Sequence, residues 1–255
     1  MQIDLNAAWI IAMILVMARA LAWMSVVTPF SSSATVPRIV LVGLAVGLAL
    51  LAVPGLGLAG VPTGTLGILG ALVVQVATGL ALGLVVQTML SAVTTAGSFL
   101  DLTGGLTLPP SMDTLTGQPL PIMSQFYQQT MIFLLFATGG YLVMVEGFVR
   151  SFAGPGFSLR VSQLVSGVMV TDLEVLFTSA LEIAAPVLLV LFAAQIALAL
   201  LAKAAPQTNV WFLGFPFQIF LVIALVGVTI SALPNDVTNL LARAMGDAAR
   251  LFGGR

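Results

Sequence analysis

Asp101 and Asp113 are the side chains whose type and nearness in the chain first suggest chemistry. Two apposed aspartates can hydrolyse a peptide bond inside a membrane, one activating water and the other protonating the leaving group. No G-x-G-D motif accompanies them, and both fall in a stretch where turn and capping roles explain an aspartate as well. A serine nucleophile finds no base either: the chain has no histidine, and Lys203 alone makes no credible dyad. Without histidine or cysteine, the usual neutral-pH base, zinc ligands, disulfides and thiolate chemistry are all removed. A phosphate-binding loop of the G-x-x-x-x-G-K type is missing as well. The sequence therefore reads as a protein that is not an enzyme and carries no cofactor and no metal.

The two aspartates sit in the stretch from Gly97 to Pro121, the longest polar interruption in an otherwise apolar chain. Gly104, Gly105, Pro109, Pro110, Pro119 and Pro121 predict irregular backbone there. Leu102, Leu106, Leu108, Met112 and Leu115 give it an apolar side that a solvated loop does not need. Irregular backbone at membrane depth is tolerated only when buried in protein or lining a cavity. Two readings stand side by side: a loop that lines or closes a pore, and a connector outside the membrane.

The elements that must position this stretch are membrane helices. The chain is 60% hydrophobic and 7% charged, against roughly 25% charged residues in soluble domains. No segment is polar enough for a soluble domain, so the expectation is one all-α membrane unit. A net charge of -1 without a basic cluster argues against nucleic acid or an anionic lipid surface as the main partner. The amino terminus has no positive region and no cleavage signature, so it is expected to be retained.

A helix needs about 20 apolar residues to span the bilayer core, and about six runs qualify. They are Ala7 to Thr28, Arg38 to Pro54, about Leu66 to Thr94, Ile122 to Val145, Thr171 to about Ala202, and Val210 to Leu233. The interval from Gly154 to Val170 reads as an interfacial or packed amphipathic turn. Thr171, Asp172, Leu173 and Glu174 read as a capping box opening the fifth run, with Pro186 as a kink inside it. The last two runs form a hairpin about Lys203 to Asn209. A tail helix follows, with Val237, Leu240, Leu241, Ala244 and Leu251 on one side. The fold class is thus about six long, partly kinked hydrophobic helices arranged as hairpins, with an irregular central loop.

Other constellations are less specific. Gly43 with Gly47 and Gly79 with Gly83 are small-xxx-small pairs that let helix backbones approach, or chance spacings in a glycine-rich chain. Arg19, a charge inside the first run, either faces protein or snorkels to the interface; Glu182 is a candidate partner or a helix-end carboxylate. A small-solute secondary transporter or channel would suit helices broken by Gly and Pro, but ionisable groups for ion coupling are nearly absent from the spans.

Taken in order, these residues resemble the FliR family, the export-gate subunit of flagellar and related type III secretion systems. The likeness covers essentially the whole chain. It rests on Arg19 followed by Thr28, Pro29 and Phe30, then Pro37 and Arg38 with Gly43 behind them. Ala96 and Gly97 before Leu100, Asp101, Leu102, Gly105 and Leu106 follow, then Gln125 with Phe126. Lys203, Pro206 and Gln207 leading to Gly214, Phe215 and Pro216 are the most specific part. The sequence departs from the family pattern at Ser98, where a glutamate is common, at Thr103 and Gly104, and at Gly139 to Tyr141.

The resemblance implies a multi-pass protein of the bacterial inner membrane at the flagellar basal body. It implies assembly with FliP-type and FliQ-type subunits, association with FlhB-type and FlhA-type export proteins, and passage of unfolded export substrates. Residues 1–170 are then similar to a FliP-type subunit and 171–255 to a FliQ-type hairpin. The segment Leu106 to Leu120, with Leu108, Pro109, Pro110, Met112 and Leu115, becomes the pore plug. Lys203, Pro206, Gln207, Gly214, Phe215 and Pro216 become a partner-facing hairpin turn. If all six runs cross, the positive-inside rule puts both termini in the cytoplasm, whereas the resemblance puts the Lys203 to Asn209 turn there.

Overall fold

A computed structural model describes residues 7–28, 30–31, 36–56, 61–62, 64–106, 121–152, 168–207 and 209–251. Every regular element among them is helical. These are α1 (Ala7–Val26), α2 (Arg38–Ala52) with a 3-10 turn at Val53–Gly55, and α3 (Thr65–Thr103). After them come α4 (Ile122–Ala137), α5 (Gly140–Arg150), α6 (Val168–Ala204), α7 (Val210–Thr229) and α8 (Leu233–Leu251). Four helices are long and apolar enough to cross a membrane, or up to six spans if α4 with α5 and α7 with α8 each count as one. The all-α membrane architecture follows from composition: with no water in the bilayer core, only intrahelical bonds satisfy the backbone of a single chain segment.

Four boundaries differ from the sequence reading, each for a local reason. Helix α3 is 39 residues long and continues through Gly97 and Asp101 to Thr103, so the irregular stretch opens at Gly104 and not at Gly97. A lone glycine costs a helix only about 1 kcal/mol, too little to end one. The fourth run is not continuous: it breaks after Ala137, where Gly139 takes the left-handed conformation at φ +75°. Helix α6 begins at Val168, so Thr171 lies inside it and the expected capping box does not open the helix. The last run ends at Thr229, and Leu233 begins α8. Residues 153–167, where an amphipathic turn is expected, lie outside the described residues.

The described chain forms two compact units. The first combines residues 1–89, 139–173 and 240–255. Its core includes Leu15, Val16, Trp23, Leu82, Val86 and Phe148. Trp23 packs against Phe148 at 5.3 Å with the rings tilted, and Phe148 meets Phe152 edge-on at 5.4 Å, the latter a geometry that aromatic pairs prefer. Helix α1 lies directly on α3, because Gly79 and Gly83 present no side chain: a Cβ on Gly83 would stand 3.0 Å from the Trp23 carbonyl oxygen, and one on Gly79 would overlap that of Arg19. The second glycine pair is different, since Gly43 and Gly47 face nothing within 4 Å. Gly79→Val should therefore destabilise the detergent-purified chain by about 2–3 kcal/mol through overpacking, while Gly43→Val leaves its thermal unfolding unmoved. Equal midpoints for the two variants would show that the close approach is not required.

The second unit combines residues 90–138 and 174–239. Leu100, Met123, Tyr127, Met131, Leu135, Leu191 and Val222 are buried in it. Its α6–α7 hairpin turns at Ala205 to Asn209, where Asn209 accepts from the Phe212 amide and so caps α7. Helix α8 is amphipathic: Val237, Leu240, Leu241 and Ala244 of the predicted stripe are buried, Leu233 is buried as well, and Arg243 is exposed.

Candidate functional site

The central stretch leaves α3 and re-enters α4 through a closed base built by Asp101. Pro121 precedes α4 and has no side-chain group to cap it, so the first amides of α4 need an acceptor from elsewhere. Asp101, in the last turn of α3, supplies it. Its Oδ1 accepts from the Met123 amide at 2.8 Å and its Oδ2 from the Ser124 amide at 2.8 Å, across 22 and 23 residues of sequence. The carboxylate is 1% exposed. A charged acceptor at a helix N-terminus also meets the positive end of the helix dipole.

Gly97 makes this contact sterically possible. A Cβ there would lie 2.7 Å from Ser124 Cα and 2.8 Å from the Met123 carbonyl oxygen, so only glycine lets α3 approach the start of α4 this closely. The Ser98 hydroxyl lies 3.2 Å from that of Ser124.

The other side of the base is a helix C-terminus. Gly105 adopts φ +69°, the Leu106 amide donates to the Asp101 carbonyl at 3.0 Å and the Gly104 amide to that of Leu100 at 2.8 Å. This is a Schellman-type end, for which glycine supplies the left-handed residue without strain. Gln195 of α6 donates to the Thr103 carbonyl at 2.9 Å and so satisfies another orphan of the last turn. Leu106 is buried. Leu108, Pro109, Pro110, Met112, Leu115 and Leu120, the remaining plug residues expected from the sequence, lie outside the described residues, as does Asp113.

Arg19 does not snorkel. It is 2% exposed, donates from Nε to Gln75 Oε1 at 2.6 Å and from NH1 to the Ser151 carbonyl and hydroxyl at 3.1 and 3.0 Å, and stands 4.0 Å over the Phe152 ring. Glu182, weighed as its partner, is exposed on α6. The hydrogen-bonding role of Gln75 escaped the sequence reading, although an amide in the middle of an apolar run was its visible signal. Gln87 is similar, accepting from the Thr28 amide at 2.8 Å to close the end of α1.

The expected hairpin residues divide. Lys203 ends α6, Pro206 and Gln207 are exposed in the turn, but Gly214, Phe215 and Pro216 lie in the second turn of α7. Gly214 is buried against Leu198, and beside it a groove of about 290 Å³ is lined by Gln195, Leu198, Phe215 and Gln218. A Cβ on Gly105 would meet the ring of Phe215, one of the residues lining that groove, at 3.4 Å. Among the described residues no three acidic, cysteine or histidine side chains cluster as metal ligands. The chemistry on offer is structural: helix ends closed by side chains from elsewhere in the chain.

Known proteins share this arrangement of sequence. Residues 10–244 match the family described as bacterial export proteins, family 1. The flagellar biosynthetic protein FliR of Bacillus subtilis is 29% identical over 186 residues, covering 69% of this chain and 70% of its own length. The FliR protein of Escherichia coli is 27% identical over 88% of both chains, and that of Pectobacterium carotovorum is 27% identical over 88% of this chain and 86% of its own. With the match running from α1 into α8, the chain belongs to the bacterial export proteins of family 1, the FliR family.

Proposed function

We propose that this chain is a subunit of the type III protein export gate, of the flagellar kind its relatives are named for, in the bacterial inner membrane. It works there with FliP-type and FliQ-type subunits, beside FlhB-type and FlhA-type proteins, to form the pore that unfolded substrates cross. The segment from Leu106 to Leu120 closes that pore. One observation carries the closing role: the ends of this segment are tied by the Asp101 carboxylate on two α4 amides. A segment with a fixed base and an apolar interior can fill a narrow lumen, exclude ions and be displaced without unfolding a helix. Residues 1–170 take the place of a FliP-type subunit in the ring and 171–255 that of a FliQ-type hairpin. The energy for export comes from other components.

The test has two parts. Co-expressed with the FliP-type and FliQ-type proteins of the same genome, the chain should enter a hetero-oligomer of defined mass with one copy per complex, read by native mass spectrometry. A monomer or homodimer indifferent to those proteins would sink the assembly reading. Replacing 106–120 by a short Gly/Ser linker should leave the complex intact and make cells leak ions. A tight membrane with that variant would reduce the chain to a scaffold.

A further inference from the structure

Asp172 is a buried acid that nothing in the fold yet explains. It is the fifth residue of α6 and 2% exposed, and both of its carboxylate oxygens are closed to water and have no hydrogen-bond partner among the described residues. The ordinary reasons for an acid near a helix start do not hold here. Helix α6 begins before the expected capping box, and no amide takes the Asp172 carboxylate as its acceptor. The helix dipole fades within the first turn and favours an acid by less than the burial of an unpaired ion costs.

The charge that faces it is negative. Residues 139–173 and 240–255 belong to one compact unit, and within it Asp247 of α8 stands within electrostatic reach of Asp172. The cations of that unit whose side chains are described are placed elsewhere. Arg19 donates to Gln75 and Ser151, Arg150 pairs with Glu146 at 2.6 Å, and Arg38 and Arg243 are exposed. Glu174, the next acid along α6, is exposed as well.

Three kinds of ligand could neutralise such a carboxylate. A metal ion needs further ligands, and among the described residues no three acidic, cysteine or histidine side chains come together. A guanidinium or ammonium from another chain needs an opening, and the two oxygens have none. A proton needs neither. A buried acid without a partner neutralises rather than staying charged, and the neutral form gains an O–H donor that the ion lacks.

We propose that Asp172 is a proton-binding site: its carboxylate takes a proton from water as the start of α6 packs in one unit with the end of α8, keeps it while that packing is closed, and returns it to water when the packing opens. The packing is thereby linked to pH, with acid securing it and alkali weakening it. The site does not depend on the export-gate reading and is tested apart from it.

The full chain in detergent is the material for the test. Infrared spectra at about pH 5.5, above the values of about 3.9–4.3 at which solvated Asp and Glu titrate, should show the carbonyl stretch of a protonated carboxyl that Asp172→Asn loses. The unfolded chain releases this proton near the ordinary aspartate value of about 3.9, whereas the closed site keeps it above that value. The folded state therefore binds the extra proton in that window, and its stability falls as pH rises. Relative to Asp172→Asn, the folded-to-unfolded ratio of the parent should drop about tenfold per pH unit there. Asp247→Asn removes the neighbouring charge and should move the loss of the infrared band to lower pH, and this variant carries the test if Asp172→Asn does not fold. A parent without the band, a ratio independent of pH, or a band that titrates in Asp247→Asn as in the parent would overturn the site. A ratio that rises with pH would overturn it in favour of an ionised carboxylate held by a cation.

Discussion

Asp101→Ala is expected to destabilise the purified chain by about 3 kcal/mol and to loosen the closed membrane. The side chain makes two charge-assisted hydrogen bonds of 2.8 Å, and such bonds contribute about 1.5–3 kcal/mol each. Alanine also removes the acceptor of the buried Met123 amide and of the part-buried Ser124 amide at the start of α4, and no Pro121 side chain can take them over. Asp101→Asn separates charge from geometry: it keeps one acceptor oxygen, so about half the loss should return, with the favourable dipole term absent. Thermal unfolding in detergent reads the first effect. Ion leak through cells carrying the assembled gate reads the second, since freeing the base lets both ends of the 106–120 segment move. An alanine variant with the unfolding midpoint of the parent would end the case for a clamp. A destabilised variant with a tight membrane would separate the clamp from the gate.

The parts of this molecule that were legible in the sequence are those set by long-range averages. Apolar runs of bilayer length appear as helices, and the buried stripe of α8 lies on Val237, Leu240 and Leu241 as its spacing predicts. What misled was punctuation. Gly97 opens the polar stretch that reads as irregular, yet it lies inside α3, where a tertiary contact with Ser124 needs its missing side chain. Thr171 with Glu174 reads as a capping box, yet the helix begins earlier at Val168. In both cases a local preference of about 1 kcal/mol yields to packing or to helix continuation. The capping role of Asp101 was legible as one alternative, but its recipient was not. Nothing in the chain between Asp101 and Met123 encodes which amides the carboxylate meets; only the approach of α3 and α4 at Gly97 decides it.

Arg19 carries the second large expectation. Its guanidinium donates to one amide oxygen, one backbone carbonyl and one hydroxyl, with an aromatic face beneath. Arg19→Met keeps much of the volume and the ring contact but leaves Gln75 Oε1 and the Ser151 carbonyl without these donors in a site closed to water. At about 1–3 kcal/mol for each abandoned acceptor, a loss of about 3 kcal/mol is expected. Arg19→Lys should do little better, because a point charge cannot reproduce the fork that reaches Gln75 and Ser151 together. The informative variant is the double one. Gln75 is wholly buried, and its Nε2 has no hydrogen-bond partner among the described residues. Replacing it by leucine in the Arg19→Met background removes both ends of an amide that would otherwise be stranded. The double variant Arg19→Met with Gln75→Leu should therefore recover roughly half of the single loss, a coupling of about 1–2 kcal/mol within the range for residues sharing one network. Strict additivity in detergent unfolding would mean that the two side chains do not act as a pair.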